Sequence, residues 1–416
     1  MDHDRRHDLV LFGASGFIGR LVAQHLADQA PPGLRIALAG RTVSRLEEVR
    51  DQHGRPEWDL LTADSSDLAA LADLAGSARV VLSTVGPYHR HGLPLVLECA
   101  RAGTDYVDLT GEVAFVRASI DRAHDEAVRT GARIVHSCGF DSVPSDLAVH
   151  LLHGAATADG AGGLGDTTLL VTRLRGGLSG GTVDSMREQL SLVRSDREAA
   201  QLAADPYALA PDRAAEPRLP GQEDSTDVFV EAGSGRWTAP FVMASYNTRI
   251  VRRSHALLRE HGDTPAGYGA AFRYREMVDT GRGRRGRRRA QALRTGLAAL
   301  WLGLSTPGLS RIVDALLPKP GEGPSPEKRA SGRFEVQART TAQDGQGYLA
   351  TVGAQGDPGY AATCVMIGQC ALALAVEPER CRPGGGVLTP AVALGDVLVE
   401  RLRAQGFRLR VDPLVS

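Results

Sequence analysis

Three residues that can take part in acid–base chemistry follow apolar stretches of the sequence. Tyr88 comes directly after a Gly-Pro pair, and Cys138 and Asp141 lie in the segment SCGFDSVPSD. A phenol in this position could donate a proton to a reacting carbon. Each residue also has an ordinary structural role: a tyrosine bonded to backbone, a small buried cysteine, or an aspartate that caps the next helix. The three are therefore candidate catalytic residues, with both roles open.

Three glycines lie at the junction of the first predicted strand and the first predicted helix. Residues 9–12 form a short apolar run typical of a buried parallel strand, and residues 17–27 have apolar positions at helical spacing. Gly13 and Gly16 lie between the two segments, where Gly13 allows a tight turn and Gly16 lets a diphosphate approach the backbone. Gly19 lies within the helix and lets helix and strand pack closely. The helix N-terminus offers free N–H groups to phosphate. The pattern predicts a dinucleotide-binding site.

The end of the second predicted strand indicates which dinucleotide. Residues 34–39 lead into Gly40 and Arg41, where a site for NAD usually has an acidic residue. A guanidinium binds a 2′-phosphate through paired, charged hydrogen bonds, which favours NADP(H). The alternative is a surface arginine that caps a helix. The predicted cofactor-binding residues are Gly13, Ala14, Ser15, Gly16, Phe17, Ile18, Gly40, Arg41, Asp64, Ser83, Thr84, Val85, Gly86 and Pro87.

Strands and helices alternate through the first part of the chain, which predicts a Rossmann-type doubly wound parallel sheet. Asp108 and Glu112, at the end of the fifth strand, are expected to cap the helix that follows. From residue 154 the sequence pattern changes to an α+β pattern with a hairpin over residues 332–356. We predict an NADP-binding domain at 1–153, an inserted α+β substrate or dimerisation domain at 154–358, and C-terminal helices at 359–416 that pack on the first domain.

Composition excludes several classes of protein. The net charge is −1, so no overall positive charge recruits nucleic acid or an anionic membrane. The histidines His89 and His91 have no third ligand nearby in the sequence, and the cysteines show no metal-ligand spacing, so no metal site is predicted. The N-terminus leaves no room for a signal peptide, and no apolar run is long enough for a membrane span. A cytoplasmic protein is expected. The cysteines are Cys99, Cys138, Cys364, Cys370 and Cys381.

Six arginines between Arg282 and Arg289 form a local positive cluster, which an apolar helix containing Trp301 follows. Three roles are open for this cluster: a docking surface for an acidic carrier protein, peripheral contact with an anionic lipid surface, or a solvated loop.

The segments VGPYHRHGLPLVLECARAGTDYVDLTGE and SCGFDSVPSDLAV resemble the signature of the saccharopine dehydrogenase-like oxidoreductases. Together with LPKPGEGPSPEKRASGRFEV and GGVLTPAVALGDVLVERLRAQGF, they make the chain similar to the trans-acting enoyl reductase branch of that superfamily. The resemblance implies an enzyme that uses NADPH to reduce a carbon–carbon double bond of a polyketide intermediate made by a separate synthase. The segment CGFDSVPSD departs from true saccharopine reductases, which argues against an amino-acid substrate.

We therefore expect an NADPH-dependent reductase whose substrate is an acyl thioester, with an acyl carrier protein of a polyketide synthase as the candidate partner. Two other functions stay open: reduction of an imine carbon on the same fold, and a non-catalytic NADP(H)-binding protein. The sequence also leaves open whether the protein is a homodimer.

Overall fold

The computed structural model describes residues 5–176, 187, 190–262, 264–306 and 325–414. The chain divides into two compact units. The first combines the described residues of 5–143 and 359–405, and the second combines those of 144–306, 325–358 and 406–414. The boundaries at 153 and 358 stay a prediction about domain organisation.

The strands of the two units form two separate sheets. In chain order they are β1 (His7–Phe12), β2 (Ile36–Gly40), β3 (Asp59–Thr62), β4 (Ala78–Ser83), β5 (Asp105–Asp108), β6 (Arg133–Val135), β7 (Asp166–Arg175), β8 (Phe229–Glu231), β9 (Arg236–Pro240), β10 (Arg273–Gly281), β11 (Arg333–Thr341), β12 (Gly347–Gln355), β13 (Gly386–Leu388) and β14 (Arg408–Leu414).

The first unit contains a parallel sheet of seven strands in the order β13-β6-β5-β4-β1-β2-β3. Its central strands contain apolar runs such as residues 9–12 of β1, and β1 is buried at every position. Such strands are buried because helices cover both faces of a doubly wound sheet. The predicted fold class is confirmed. The helices of this unit are Phe17–Gln29, Val43–Gln52, Leu68–Ser77, Tyr88–His91, Leu93–Ala102, Val113–Thr130, Thr363–Val376 and Pro390–Ala404.

The edge strand β13 comes from the C-terminal part of the chain and was not predicted from the sequence. It pairs with β6, with Val387 opposite Ile134. The helix Thr363–Val376 packs on helix Phe17–Gln29, where the Gln369 Nε2 atom lies 3.0 Å from the His25 Nε2 atom. The C-terminal segment therefore completes both the sheet and the core of the first unit.

One helical stretch is apolar over a length that the sequence was not expected to contain. Pro358–Val376 has a mean hydropathy of 1.7, which is enough in length and composition to cross a membrane. The prediction that no apolar run is long enough for a membrane span is therefore wrong by length and composition. Because 78% of the apolar window is buried inside the protein, the stretch has the environment of a core helix.

The second unit contains a mixed sheet in the order β14-β12-β11-β7-β10-β9-β8, in which β7 and β10 run parallel and the other pairs are antiparallel. The predicted hairpin is confirmed as β11 and β12, with Arg333 opposite Gln355 and Thr341 opposite Gly347. The segment TVDSMREQLSLV predicts a helix over residues 182–193, most of which lie outside the described residues. The helices that accompany this sheet are Val143–Ala158, Arg197–Ala204, Ala244–Glu260, Gly283–Ser305 and Pro326–Ala330.

The close packing of helix Phe17–Gln29 on the end of β1 gives a test of the fold. A Cβ at Gly19 would overlap the Gly13 carbonyl oxygen and lie 2.9 Å from the Ala14 Cα atom, so the backbone has to move. We expect Gly19→Ala to lower the free energy of unfolding by roughly 1–3 kcal/mol, despite the better helix propensity of alanine. Urea unfolding measures the change.

The matched control is Gly76→Ala, near the end of helix Leu68–Ser77, where nothing lies within 4 Å of the added Cβ. This variant should be unchanged or more stable by up to about 1 kcal/mol. Equal stabilities for the Gly19 and Gly76 variants would contradict the packing described here.

Candidate active site

The turn after β1 has glycine at both of its ends, Gly13 and Gly16. Gly13 has a φ of +90°, which glycine adopts readily, and its N–H donates to the Ala39 carbonyl at 2.9 Å. A Cβ at Gly13 would lie 2.7 Å from the Thr84 Oγ1 atom. Gly16 is the N-cap of helix Phe17–Gln29, and no side chain caps that end. Because no side chain caps it, this helix N-terminus can receive an anionic ligand.

The end of β2 places Gly40 and Arg41 beside this turn. Gly40 is buried, and the nearest atoms to a Cβ there are the Leu46 Cδ2 atom at 3.4 Å and the Ser15 Oγ atom at 3.8 Å. Arg41 is exposed and forms no ion pair with any residue that the structure describes. The N-cap of the next helix is Thr42, so Arg41 is not the capping residue. Its guanidinium is available to a ligand.

At the end of β3, Asp64 accepts hydrogen bonds from Ser66. The Ser66 N–H donates at 2.9 Å and the Ser66 hydroxyl at 2.6 Å. These bonds lower the pKa of the Asp64 carboxyl, and the charge of Arg41 adds to the effect. Asp64 thus stays a charged turn residue next to the predicted phosphate site.

The end of β4 is tied directly to the glycine turn. The Thr84 N–H donates to the Phe12 carbonyl at 2.9 Å, and the Thr84 hydroxyl donates to the Gly13 carbonyl at 3.2 Å. Ser83 is buried, whereas Val85, Gly86 and Pro87 are at least partly exposed, and the Gly86–Pro87 peptide bond is cis. Because β1, β2 and β4 are neighbours in a parallel sheet, their carboxyl ends form one edge.

Tyr88 is buried with its hydroxyl bonded to the backbone. The hydroxyl donates to the Ser83 carbonyl at 3.1 Å and accepts from the Leu109 N–H at 3.2 Å. Burial raises the pKa of the phenol well above its ordinary value. This geometry fits the structural alternative for Tyr88, and its role as a proton donor stays a prediction.

Cys138 is fully buried in the core of the first unit. Its thiol faces the Val135 carbonyl at 3.4 Å, and burial followed by contact with Cys370 raises its pKa well above the ordinary value. A thiol held protonated in an apolar environment behaves as a small hydrophobic side chain. A catalytic role for Cys138 also stays a prediction.

Asp141 has a different environment. It is half-buried, and its carboxyl forms no hydrogen bond or ion pair with any residue that the structure describes. One carboxylate oxygen lies 3.8 Å from the place that a Cβ on Gly111 would occupy, so glycine leaves space beside the carboxyl. Burial raises the pKa of Asp141 to about 6. A carboxyl of this kind can hold a proton near neutral pH and release it to a substrate.

A buried polar network supports these strand ends, and sequence analysis did not find it. The Asp108 carboxylate accepts from the Ser137 N–H at 3.1 Å and contacts the His136 Nδ1 atom at 2.7 Å. The His136 Nε2 atom contacts the Ser119 hydroxyl at 2.8 Å. All of these groups are within the core. The signal that could have found the network is that Asp108 ends β5 and His136 directly follows β6.

Glu112 also has a role other than the predicted one. It occupies the N-cap position of helix Val113–Thr130, but its side chain does not cap that helix. Instead its carboxylate accepts from the Tyr88 N–H at 3.0 Å and the His89 N–H at 2.8 Å. The capping predicted for Asp108 and Glu112 is therefore wrong. These carboxylates accept hydrogen bonds from backbone N–H groups of neighbouring loops instead. The two bonds to Glu112 hold the loop after β4 in place.

These features fit a dinucleotide that carries a 2′-phosphate. The glycine turn would receive the diphosphate, and Arg41 would bind the 2′-phosphate. The loop of Thr84 to Pro87 lies at the sheet edge where the nicotinamide end is expected. Within the described residues, no group of three or more His, Cys, Asp or Glu side chains could hold a metal ion.

Comparison with known proteins agrees with this arrangement. The family model of the saccharopine dehydrogenase NADP binding domain matches residues 9–135, so this part of the chain binds NADP(H). A protein of Mycobacterium tuberculosis named as a trans-acting enoyl reductase is 48% identical over 425 residues, which cover 99% of each chain. A trans-acting enoyl reductase of Mycobacterium ulcerans is 45% identical and covers 97% of each chain.

Among solved structures, the saccharopine dehydrogenase (L-Glu forming) of Saccharomyces cerevisiae has the same fold. The TM-score is 0.52 with 16% sequence identity, and the match covers 98% of this chain and 99% of the yeast chain. At that identity the likeness concerns the fold alone. The two mycobacterial relatives are much more similar over nearly the whole length. The chain belongs to the family of the trans-acting enoyl reductases, NADP(H)-binding oxidoreductases of the saccharopine dehydrogenase type.

Proposed function

We propose that this protein reduces the carbon–carbon double bond of an α,β-unsaturated acyl thioester with NADPH, and that Asp141 supplies the proton. The observation that carries the proposal is the Asp141 carboxyl, which has a raised pKa and no bonding partner among the described residues, in the unit that holds the dinucleotide cradle. The names of the mycobacterial relatives support the reaction class.

The cofactor supplies a hydride when it is bound. The protein positions the cofactor. In this proposal the glycine turn and Arg41 hold its phosphates. The hydrogen bonds from Thr84 to the Phe12 and Gly13 carbonyls fix the loop beside the nicotinamide end. Orientation of two reacting groups in this way removes a large entropic barrier.

Hydride addition at the β-carbon leaves an enolate on the substrate, which needs a proton at the α-carbon. Protonated Asp141 would deliver it, and the half-exposed carboxylate would regain a proton from water. With a pKa of about 6, the carboxyl is protonated in a useful fraction of molecules near neutral pH.

Tyr88 acts in this proposal as a positioning residue. Its hydroxyl joins the Ser83 carbonyl at the end of β4 to the Leu109 N–H after β5, and Glu112 holds its backbone. The loop after β4 therefore keeps its shape without a bound substrate.

The acyl group is proposed to arrive on the carrier protein of a separate polyketide synthase, in line with the trans-acting relatives. A cytoplasmic location and a homodimer are consistent with this role and stay predictions.

Removal of Arg41 tests the cofactor site. We expect Arg41→Ala to weaken NADPH binding about tenfold to a hundredfold and to leave NADH binding nearly unchanged, because a charged hydrogen-bonded contact contributes roughly 1.5–3 kcal/mol. Fluorescence titration with both nucleotides measures the preference. Arg50→Ala, at the other end of helix Val43–Gln52, is the control and should leave both affinities unchanged. Equal affinity of the unmutated protein for both nucleotides would contradict the assignment.

The role of Asp141 predicts a pH dependence. A general acid must be protonated, so the turnover of the unmutated enzyme should fall about tenfold per pH unit above pH 6. We expect Asp141→Asn to lower turnover at pH 6 by about a hundredfold and to remove this pH dependence. Steady-state rates with a short enoyl thioester measure both effects. A variant that keeps the unmutated pH profile would show that another group supplies the proton.

The same substitution predicts a change in stability that does not depend on activity. Because the folded state raises the pKa of Asp141 from 3.8 to about 6, the unmutated protein loses stability as pH rises through that interval. Asp141→Asn should therefore be more stable at pH 8, on the order of 1 kcal/mol, and no more stable at pH 3. A constant difference at both pH values would contradict the burial of this carboxyl.

Tyr88→Phe separates positioning from proton donation. The loss of a buried hydroxyl that bonds two backbone groups should lower the free energy of unfolding by about 1 kcal/mol. Turnover should fall much less than in Asp141→Asn, and the pH profile should stay unchanged. A loss of about a hundredfold in turnover without a change in stability would instead make Tyr88 the donor.

A further inference from the structure

The helix Gly283–Ser305 of the second unit combines a cationic surface with an exposed apolar stripe. We propose that this helix binds an anionic lipid surface and so holds the protein at a membrane interface. The proposal is independent of the proposed reaction, because it uses no residue of the cofactor or proton-donor site.

Ion pairs with the described residues do not compensate the charge of this helix. Its arginines are exposed, and none of them forms an ion pair with a residue that the structure describes. Arg287 lies over the Trp237 ring at 5.6 Å, and Arg282, which precedes the helix, donates to the Ser234 carbonyl at 3.1 Å. In a chain of net charge −1, this is a concentrated positive surface. The arginines are Arg282, Arg284, Arg285, Arg287, Arg288, Arg289 and Arg294.

The first half of the apolar stripe holds the helix to the second sheet. Gly286 and Ala290 are buried there. A Cβ at Gly286 would lie 3.3 Å from the Trp237 Cδ1 atom, and the Gly286 carbonyl accepts from the Thr280 hydroxyl at 3.0 Å. The arginine cluster is thus part of a helix, and the solvated loop that the sequence left open is wrong.

The second half of the stripe continues at the same helical spacing and is only partly covered. Leu293, Leu297, Trp301 and Leu304 follow at intervals of three or four residues, which places them on the face of Gly286 and Ala290. Leu293 is 46% exposed, and the other three are partly buried. An apolar stripe of this size is normally covered.

The arrangement of charge around the stripe fits a lipid surface. At 100° per residue, Arg289 and Arg294 lie on opposite sides of the apolar stripe. Guanidinium groups in these positions reach headgroup phosphates while leucine and tryptophan side chains enter the interface. An acidic protein would satisfy the arginines, but a lipid surface accounts for the arginines, the exposed Leu293 and the partly exposed Trp301 together.

Vesicle sedimentation tests the proposal with the full chain. The protein should bind vesicles of phosphatidylcholine that contain phosphatidylglycerol and should not bind vesicles of phosphatidylcholine alone. Arg289→Gln combined with Arg294→Gln should weaken binding to the anionic vesicles about tenfold, because each arginine near such a surface contributes to the attraction. Leu293→Gln should weaken it about fivefold by removing apolar contact.

Two matched controls keep the test specific. Arg408→Gln combined with Arg410→Gln removes the same charge from β14, and Leu302→Gln makes the same change at a leucine that is 63% exposed on the opposite side of the helix. Both controls should bind like the unmutated protein, and all variants should reduce a short soluble thioester at the normal rate.

Failure of the unmutated protein to bind anionic vesicles would overturn the proposal. Equal losses in the test and control variants would also overturn it, because binding would then depend on net charge or general hydrophobicity. If Arg289→Gln with Arg294→Gln raises only the apparent KM for a carrier-bound substrate, the helix docks the carrier protein. If the variants instead change the mass of the particle in light scattering, the helix is an interface between copies of the chain.

Discussion

The arrangement of the first unit depends on how closely the first helix approaches the strand before it. Gly19 packs on the Gly13 carbonyl, and Gly13 in turn leaves room for the Thr84 and Val85 side chains. A larger residue at either glycine would push the helix N-terminus away from the sheet edge. The helix N-terminus, the Arg41 guanidinium and the loop after β4 could not then share the cofactor that we propose for this edge.

A second constraint is the satisfaction of backbone donors at that edge. Glu112 accepts from the backbone of the loop after β4, and Asp108 accepts from the backbone after β6. Buried carboxylates of this kind make a loop rigid because the loss of either bond would leave a donor unsatisfied. With these carboxylates occupied, Asp141 is the half-buried acid at the edge that is free of bonding partners among the described residues and can exchange a proton.

Local signals explain what the sequence could predict. Apolar runs and helical spacing predicted the parallel sheet, and the glycine turn with Arg41 indicated NADP(H); the individual cofactor-binding residues stay a prediction. The strand β13 was missed because three residues carry too little pattern, and β14 because its pairing with β12 is long-range. The roles of Asp108 and Glu112 were missed because their donors come from other loops. The raised pKa of Asp141 was likewise missed because it depends on burial, which the spacing of residues in the sequence does not show.

The central claim is that hydride from NADPH adds to the β-carbon and a proton adds to the α-carbon. The most direct test follows a deuterium label from the cofactor into the product. The enzyme is incubated with a short α,β-unsaturated acyl thioester and NADPH that carries deuterium at both C4 positions, and the saturated product is analysed by NMR. The account predicts one deuterium at the β-carbon and none at the α-carbon, which takes its proton from the protein and water. A product without deuterium at the β-carbon, or oxidation of NADPH with the double bond intact, would contradict it.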